Sequence, residues 1–434
     1  MVPINWMEGY VVKRLCIVLF VSLTVFLSAK LSVVNSVRLG GNGNDLASDV
    51  VVEEDGSVLI SGYTDSSTGT VFSSHGQEDF LIVKLDSDLD LQWWKTFGGS
   101  KRDIAEAIAL TADGGYLLAG LTESADGDVT GNNGIGDFWV IRLSAEGELI
   151  WERTLGGSGQ DHAYDVLEKP SGNILVAGYT RSEDGDVSGY DWGEDFWIVE
   201  LDSEGNLLSQ WVVGAYRSED CAKRLYLGED GSVYAVGYFA YRDCGISCNY
   251  VDNQMSILKI SATGEVEWFD QFGGQWFEDG FDIVAKSDGS AIAIGSQDAG
   301  VSLFSNGLGG KDFWVTSVDD KGNELWSKNY GGSFTDVARC IVLTEDGSLI
   351  VAGQTTSDDI DVRENSGMND AWIIELDFRG DIVDTISYGW SGDDVVNSAC
   401  FEGNRIIFAG YSVSFQEGNA EKKEKDLWIF EVAN

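Results

Sequence analysis

The chain has 434 residues, with 72 acids against 28 bases and a formal net charge of −44. A surface of that sign repels nucleic acid and anionic lipid, which excludes a nucleic-acid-binding protein. With 43% hydrophobic residues, 54 glycines and only 2 prolines, the chain is too apolar for a disordered acidic tail and is built for many tight turns around a core.

Residues 1–29 stand apart. Lys13 and Arg14 precede the apolar run LCIVLFVSLTVFL (Leu15–Leu27), which ends on Ser28 and Ala29. A charged start, a short apolar middle and small residues at its end are the layout of an export signal. The run falls short of the roughly 20 apolar residues that a membrane span needs. The expectation is a signal peptide over 1–29 and a secreted or cell-surface protein, with an uncleaved anchor as the alternative. Losing Lys13, Arg14 and Glu8 takes 28 bases and 72 acids to 26 and 71, a net charge of −45. Five cysteines are then left, Cys221, Cys244, Cys248, Cys340 and Cys400. An odd number is not a disulfide framework, although Cys244 and Cys248 share a loop and are candidates to pair.

From residue 30 onward the chain repeats. A glycine opens each unit at 40, 98, 156, 214, 273, 331 and 389, with spacings of 58 residues and one of 59. Such a period means a propeller, solenoid or array. Within the unit at 98, DIAEAIAL, YLLAGLT, DFWVIRL and LIWERTL are short apolar runs separated by the turns TADGG and SAEGE and by a long polar loop. This predicts four antiparallel strands, A to D from the axis outward. Seven such units predict one all-β domain over 30–434, a seven-bladed β-propeller. The last unit stops after its third strand, DLWIFEV, and the run LSVVNSVRL at 31–39 supplies the fourth. Its docking there closes the ring and leaves no free sheet edge.

These residues carry a resemblance. The run from GGSGQD through SGNILVAGYTRS to DFWIVELDSEGNLL resembles the repeats of secreted prokaryotic seven-bladed propellers, the SBBP-type repeat proteins. That resemblance implies an extracellular or cell-surface propeller and no defined enzymatic activity. The turns DSEGNLL and AEGELIW also resemble the tryptophan-docking turns of quinoprotein propellers, whose quinone-binding residues have no counterpart here.

The short A–B and C–D turns lie on one face; the long B–C loops and the D–A connections lie on the other, where a ligand is expected. An acid opens strand A in every unit, read as Asp45, Asp103, Asp161, Asp220, Asp279, Asp336 and Asp394. An Asp after a glycine turn is expected to accept backbone N–H groups rather than hold a cation. A second acid opens strand C (Asp79, Asp137, Asp195, Asp312, Asp370 and Asp426) and is read the same way. The tryptophans that follow it, and those five residues before each glycine, are read as core.

Two features point to ligands. Asp126 with Asp128, Asp184 with Asp186, and Asp358 with Asp361 place carboxylates close together in turns, a partial oxygen set for calcium that lacks the bidentate Glu of an EF-hand. The unit at 214 departs from the repeat, and its loops and their neighbours bring Tyr190, Trp192, Tyr216, Arg217, Tyr241, Arg242, Tyr250, Trp276 and Phe277 to one sector of the loop face. Aromatics beside acids and Arg suit stacking on sugar rings or a protein partner's hot spot, or they cap the loops on one another. Only His75 and His162 are present, in different units, which excludes a histidine-ligated metal centre. No nucleophile elbow, phosphate loop or Cys-His pair appears. The expected protein is a non-catalytic, monomeric binding module for a glycan or an extracellular protein, with calcium as the one cofactor considered. A structural envelope component and a carboxylate-dependent glycosidase or lyase are the alternatives.

Overall fold

The computed structural model describes residues 30–67, 72–189, 193–214, 218–241, 252–273, 277–298, 309–413 and 424–433. These residues form 28 strands in seven four-stranded antiparallel sheets, with no helix among them. Each sheet runs A to D in chain order except the last. There Asp394–Glu402, Arg405–Val413 and Lys425–Ala433 are completed by Ser32–Leu39, which pairs antiparallel to Lys425–Ala433. The predicted propeller and its closure by the first strand are what the structure shows.

Strands A to C are almost wholly buried, whereas strand D, as in Leu91–Phe97 and Leu149–Leu155, is half exposed. The blades join through their aromatics. The strand-C tryptophans Trp139, Trp197, Trp372 and Trp428 are fully buried. Phe80, Phe138 and Phe313 lie 4.5, 4.5 and 4.6 Å, centroid to centroid, from Trp139, Trp197 and Trp372 of the following blade. Such tilted pairs add to what their buried area contributes.

Strand-D tryptophans dock on the next blade's C–D turn. Gly147 takes φ +74° there, with the Trp93 ring packed against the place a Cβ would occupy. Blade three carries Ser209 where its neighbours have this tryptophan, and Trp211, two residues on and therefore on the same face, bonds Gly264 O instead (3.1 Å).

The acids that open strand A fix turns as expected. Asp103 accepts Gly99 N (2.8 Å), Thr122 Oγ1 (2.5 Å) and Ser124 Oγ (2.8 Å), and Asp161 repeats the set with Gly157, Thr180 and Ser182. One assignment is corrected. In the fifth blade Glu278, not Asp279, pairs with Gln297 as Asp161 pairs with Thr180, and Glu278 lies against Gly273. The extra residue in the fourth repeat falls between Gly214 and Asp220, so in the fifth the acid stands five positions after the glycine, as in most blades.

Candidate binding site at the axial mouth

Every strand A carries a β-bulge at one position. The register with strand B skips Ser48, Glu106, Tyr164, Lys223, Phe281, Arg339 and Asn397 in turn. A bulge leaves one residue out of the ladder and re-aims its side chain. All seven line one recess of about 250 Å³ at the loop-face end of the central channel.

The residue after each bulge forms a second ring: Asp49, Ala107, Asp165, Arg224, Asp282, Cys340 and Ser398. Arg224 crosses the axis and floors the recess. Its guanidinium lies 2.9 Å from Asp49, 3.6 Å from Asp165 and 3.5 Å from Asp282. These three acids hold its pKa well above the usual value against the cost of burial. Burial pushes the Asp165 carboxyl up to about 7 and raises that of Asp282, with Arg224 opposing both. Each acid also accepts a backbone N–H from the next blade: Ile108 to Asp49 (3.2 Å), Leu225 to Asp165 (2.6 Å) and Ile341 to Asp282 (2.9 Å). Ser398 of the last blade donates to Asp49 (2.5 Å). Past Arg224 a further space of about 340 Å³ opens toward the A–B turns, with many apolar side chains in its wall.

The walls of the mouth are aromatic and cationic. His162 Nε2 lies 3.0 Å from Glu106, and its ring stacks on Tyr164 at 4.3 Å. The Lys223 ammonium sits 3.2 Å from the centre of that tyrosine ring, within cation–π range. Arg339 lies 5.5 Å from Phe281, and Lys425 4.1 Å over Tyr411. Burial pushes the Tyr63 phenol up to about 12 and those of Tyr164 and Tyr238 higher. These hydroxyls therefore stay protonated across the physiological range. Burial lowers the pKa of Arg339 and Lys425.

The structure places the sequence-predicted residues as follows. Of the aromatic sector, Phe277 is described and stands 41% exposed before the fifth blade, close to the rim. Tyr241 ends its strand. Tyr190, Trp192, Tyr216, Arg217, Arg242, Tyr250 and Trp276, with Cys244 and Cys248, lie outside the described residues. Cys221, Cys340 and Cys400 are free thiols, the first two buried.

The Asp loops bind their own blade's D–A connection. Asp126 accepts Ser100 N (2.8 Å) and Asp128 Gly98 N (3.2 Å); Asp184 accepts Ser158 N (2.6 Å) and Asp186 Gly156 N (3.4 Å). In the sixth blade Asp359 and Asp361 make these contacts, while Asp358 is exposed. Among the described residues no three His, Cys, Asp or Glu side chains gather in a way that could hold a metal ion.

The bulge ring was missed in the sequence although its signal was present. At the fourth position of strand A, counting from the acid, the seven repeats carry seven different residue types, whereas Ala or another small residue recurs just before it in most repeats.

No family model matches the chain. It is 24% identical over 246 residues to the regulatory protein FlaEY of Caulobacter vibrioides, a match covering 52% of this chain and 24% of that protein. The chain thus spans about a quarter of that relative's length. Among solved structures it is similar to the WD40 domain of Neurospora crassa Pan2, with a TM-score of 0.52 and 12% identity over 92% of this chain and 96% of that one. It is equally similar to the WD40 propeller domain of Doa1, with a TM-score of 0.51 and 12% identity over 91% and 95% of the two chains. At these identities the likeness is one of fold alone: the chain is a seven-bladed β-propeller.

Proposed function

We propose that the protein is a secreted or cell-surface propeller that binds a glycan or a protein partner on its loop face without transforming it. One observation carries this reading. The scaffold repeats seven times with few changes, yet the position that the bulges aim into the axial recess differs in every blade. A purely structural ring needs no such variety, whereas a recognition surface is built from differentiated side chains on a rigid frame. The exposed Phe277 beside that face adds apolar area for contact. The two histidines stand in different blades, His162 beside Glu106 and Tyr164 at the mouth and His75 beside Asp79, so they share no site.

A glycan array with calcium and with chelator tests the reading, using wild type, a Tyr164→Ala/Phe281→Ala variant and a Trp192→Ala/Tyr216→Ala/Trp276→Ala variant. Binding lost in the first variant, with the ligand recovered unchanged, places recognition in the mouth; loss in the second moves it to the outer loops. Loss with chelator alone assigns it to Asp126, Asp128, Asp184, Asp186 and their sixth-blade counterparts. If wild type binds no glycan and captures no protein partner, the reading fails.

A further inference from the structure

We infer that the axial mouth takes an oxyanion, a carboxylate or phosphate group carried by its ligand; this rests on the mouth being the binding site proposed above. Two arginines stand one residue out of step around the same axis, Arg339 on its bulge and Arg224 just after one. Arg224 shows what a structural arginine looks like in this ring, with three carboxylates converging on it. Arg339, on the bulge, has no carboxylate in ion-pair contact among the described residues: its buried Nε has no hydrogen-bond partner, and its guanidinium lies 5.5 Å from the centre of the Phe281 ring.

Lys223 and Lys425 stand around the same opening, each over a tyrosine ring. Among the described residues no carboxylate lies within ion-pair distance of Lys223, Arg339 or Lys425. The acids nearby are already engaged: Glu106 by His162 (3.0 Å), Asp279 by Asn253 and Lys311 (2.9 and 3.3 Å), and Asp393 by Asn369 (2.7 Å). This occurs in a chain whose net charge is −44. A guanidinium Nε buried without a partner is costly unless something in the recess accepts from it. A carboxylate or phosphate does so, and a guanidinium's planar fork matches either. Tyr63 and Tyr164 line the same recess, and burial keeps their hydroxyls protonated.

Isothermal titration calorimetry with D-glucuronate and with inorganic phosphate, against D-glucose as the neutral control, tests this. Wild type should bind at least one of the two anions in preference to glucose, and which one separates an acidic sugar from a phosphorylated ligand. Arg339→Met and Lys223→Met should each weaken that binding by about tenfold or more, the order expected for one lost charge-assisted contact. The melting temperature of unliganded Arg339→Met should hold or rise, because an uncompensated cation has gone. Equal affinity for glucose and both anions overturns the inference, as does a destabilised Arg339→Met that binds the anion normally. If a neutral glycan or a protein is bound and lost on Tyr164→Ala while neither anion binds, the binding function stands and the oxyanion inference falls; if nothing binds, both fall.

Discussion

Replacing Arg224 by Met isolates the brace at the centre of the ring. Met fills much of the volume but supplies no charge to Asp49, Asp165 and Asp282, which lie 2.9–3.6 Å from the guanidinium. Removing one partner from a buried ion cluster costs about 3–5 kcal/mol, because the remaining charges are left without compensation. The cost must depend on pH. Asp165 already titrates at about 7 because of burial. At pH 5 it is protonated with or without the arginine, and the loss should shrink to about 1–2 kcal/mol. At pH 8 the carboxylates must either stay charged together or take up protons against the solution, and the full cost applies. For a chain of this size the unfolding entropy is about 0.9 kcal/mol per kelvin, so the pH 8 loss corresponds to a fall in Tm of about 3–6 °C. Urea unfolding of wild type and variant at both pH values measures it. A loss below about 1 kcal/mol at pH 8, or an equal loss at pH 5 and pH 8, refutes the reasoning.

Two further outcomes are expected. Asp137 faces Asp161 across Gly156, its Oδ1 is buried without a partner, and burial pushes its carboxyl up to about 6. The stability tied to its proton is full below about 3.8 and is lost as pH rises through about 6. Wild type should therefore melt lower at pH 7.5 than at pH 4.5, and Asp137→Asn should flatten that difference by about 1–2 kcal/mol after solvent screening; parallel melting profiles would contradict this. Deleting Ser32–Leu39 should expose the edge of Lys425–Ala433 and shift the protein toward larger species in light scattering; a variant of unchanged size and stability would deny the strand its closing role.

The fold was legible because its determinants are local and repeated: the glycine period, the Asp-Gly turns and the strand-length apolar runs all say the same thing in each unit. The closing strand could be found because the last unit lacks one and residues 31–39 supply it. The axial site was harder to see. Whether Tyr164 lies in the ladder or out of it depends on a bulge, a property of two strands in register, whose trace in the sequence is a fourth position of strand A that differs in every repeat and shows only when all seven are aligned. The misplacement at Asp279 has another cause: two acids stand side by side there, and the aspartate that recurs in the other repeats drew the assignment although the position five after Gly273 is Glu278. The Asp loops were visible, but not that their oxygens accept the N–H groups of Ser100, Gly98 and their counterparts.

The three acids around Arg224 reach the backbone of blades two, four and six from blades one, three and five, while Ser398 ties the seventh blade to the first. At the hub the ring is thus a set of joined groups, seven-one-two, three-four and five-six, separated by seams that carry none of these clasps. Two of those seams are bridged by side chains instead: His162 of blade three reaches Glu106 of blade two at 3.0 Å, and Arg224 of blade four reaches Asp282 of blade five at 3.5 Å. Slow amide exchange should survive longest at Ile108, Leu225 and Ile341, whose N–H groups are held by acids of the neighbouring blade, so that each clasp couples the opening of one blade to that of the next.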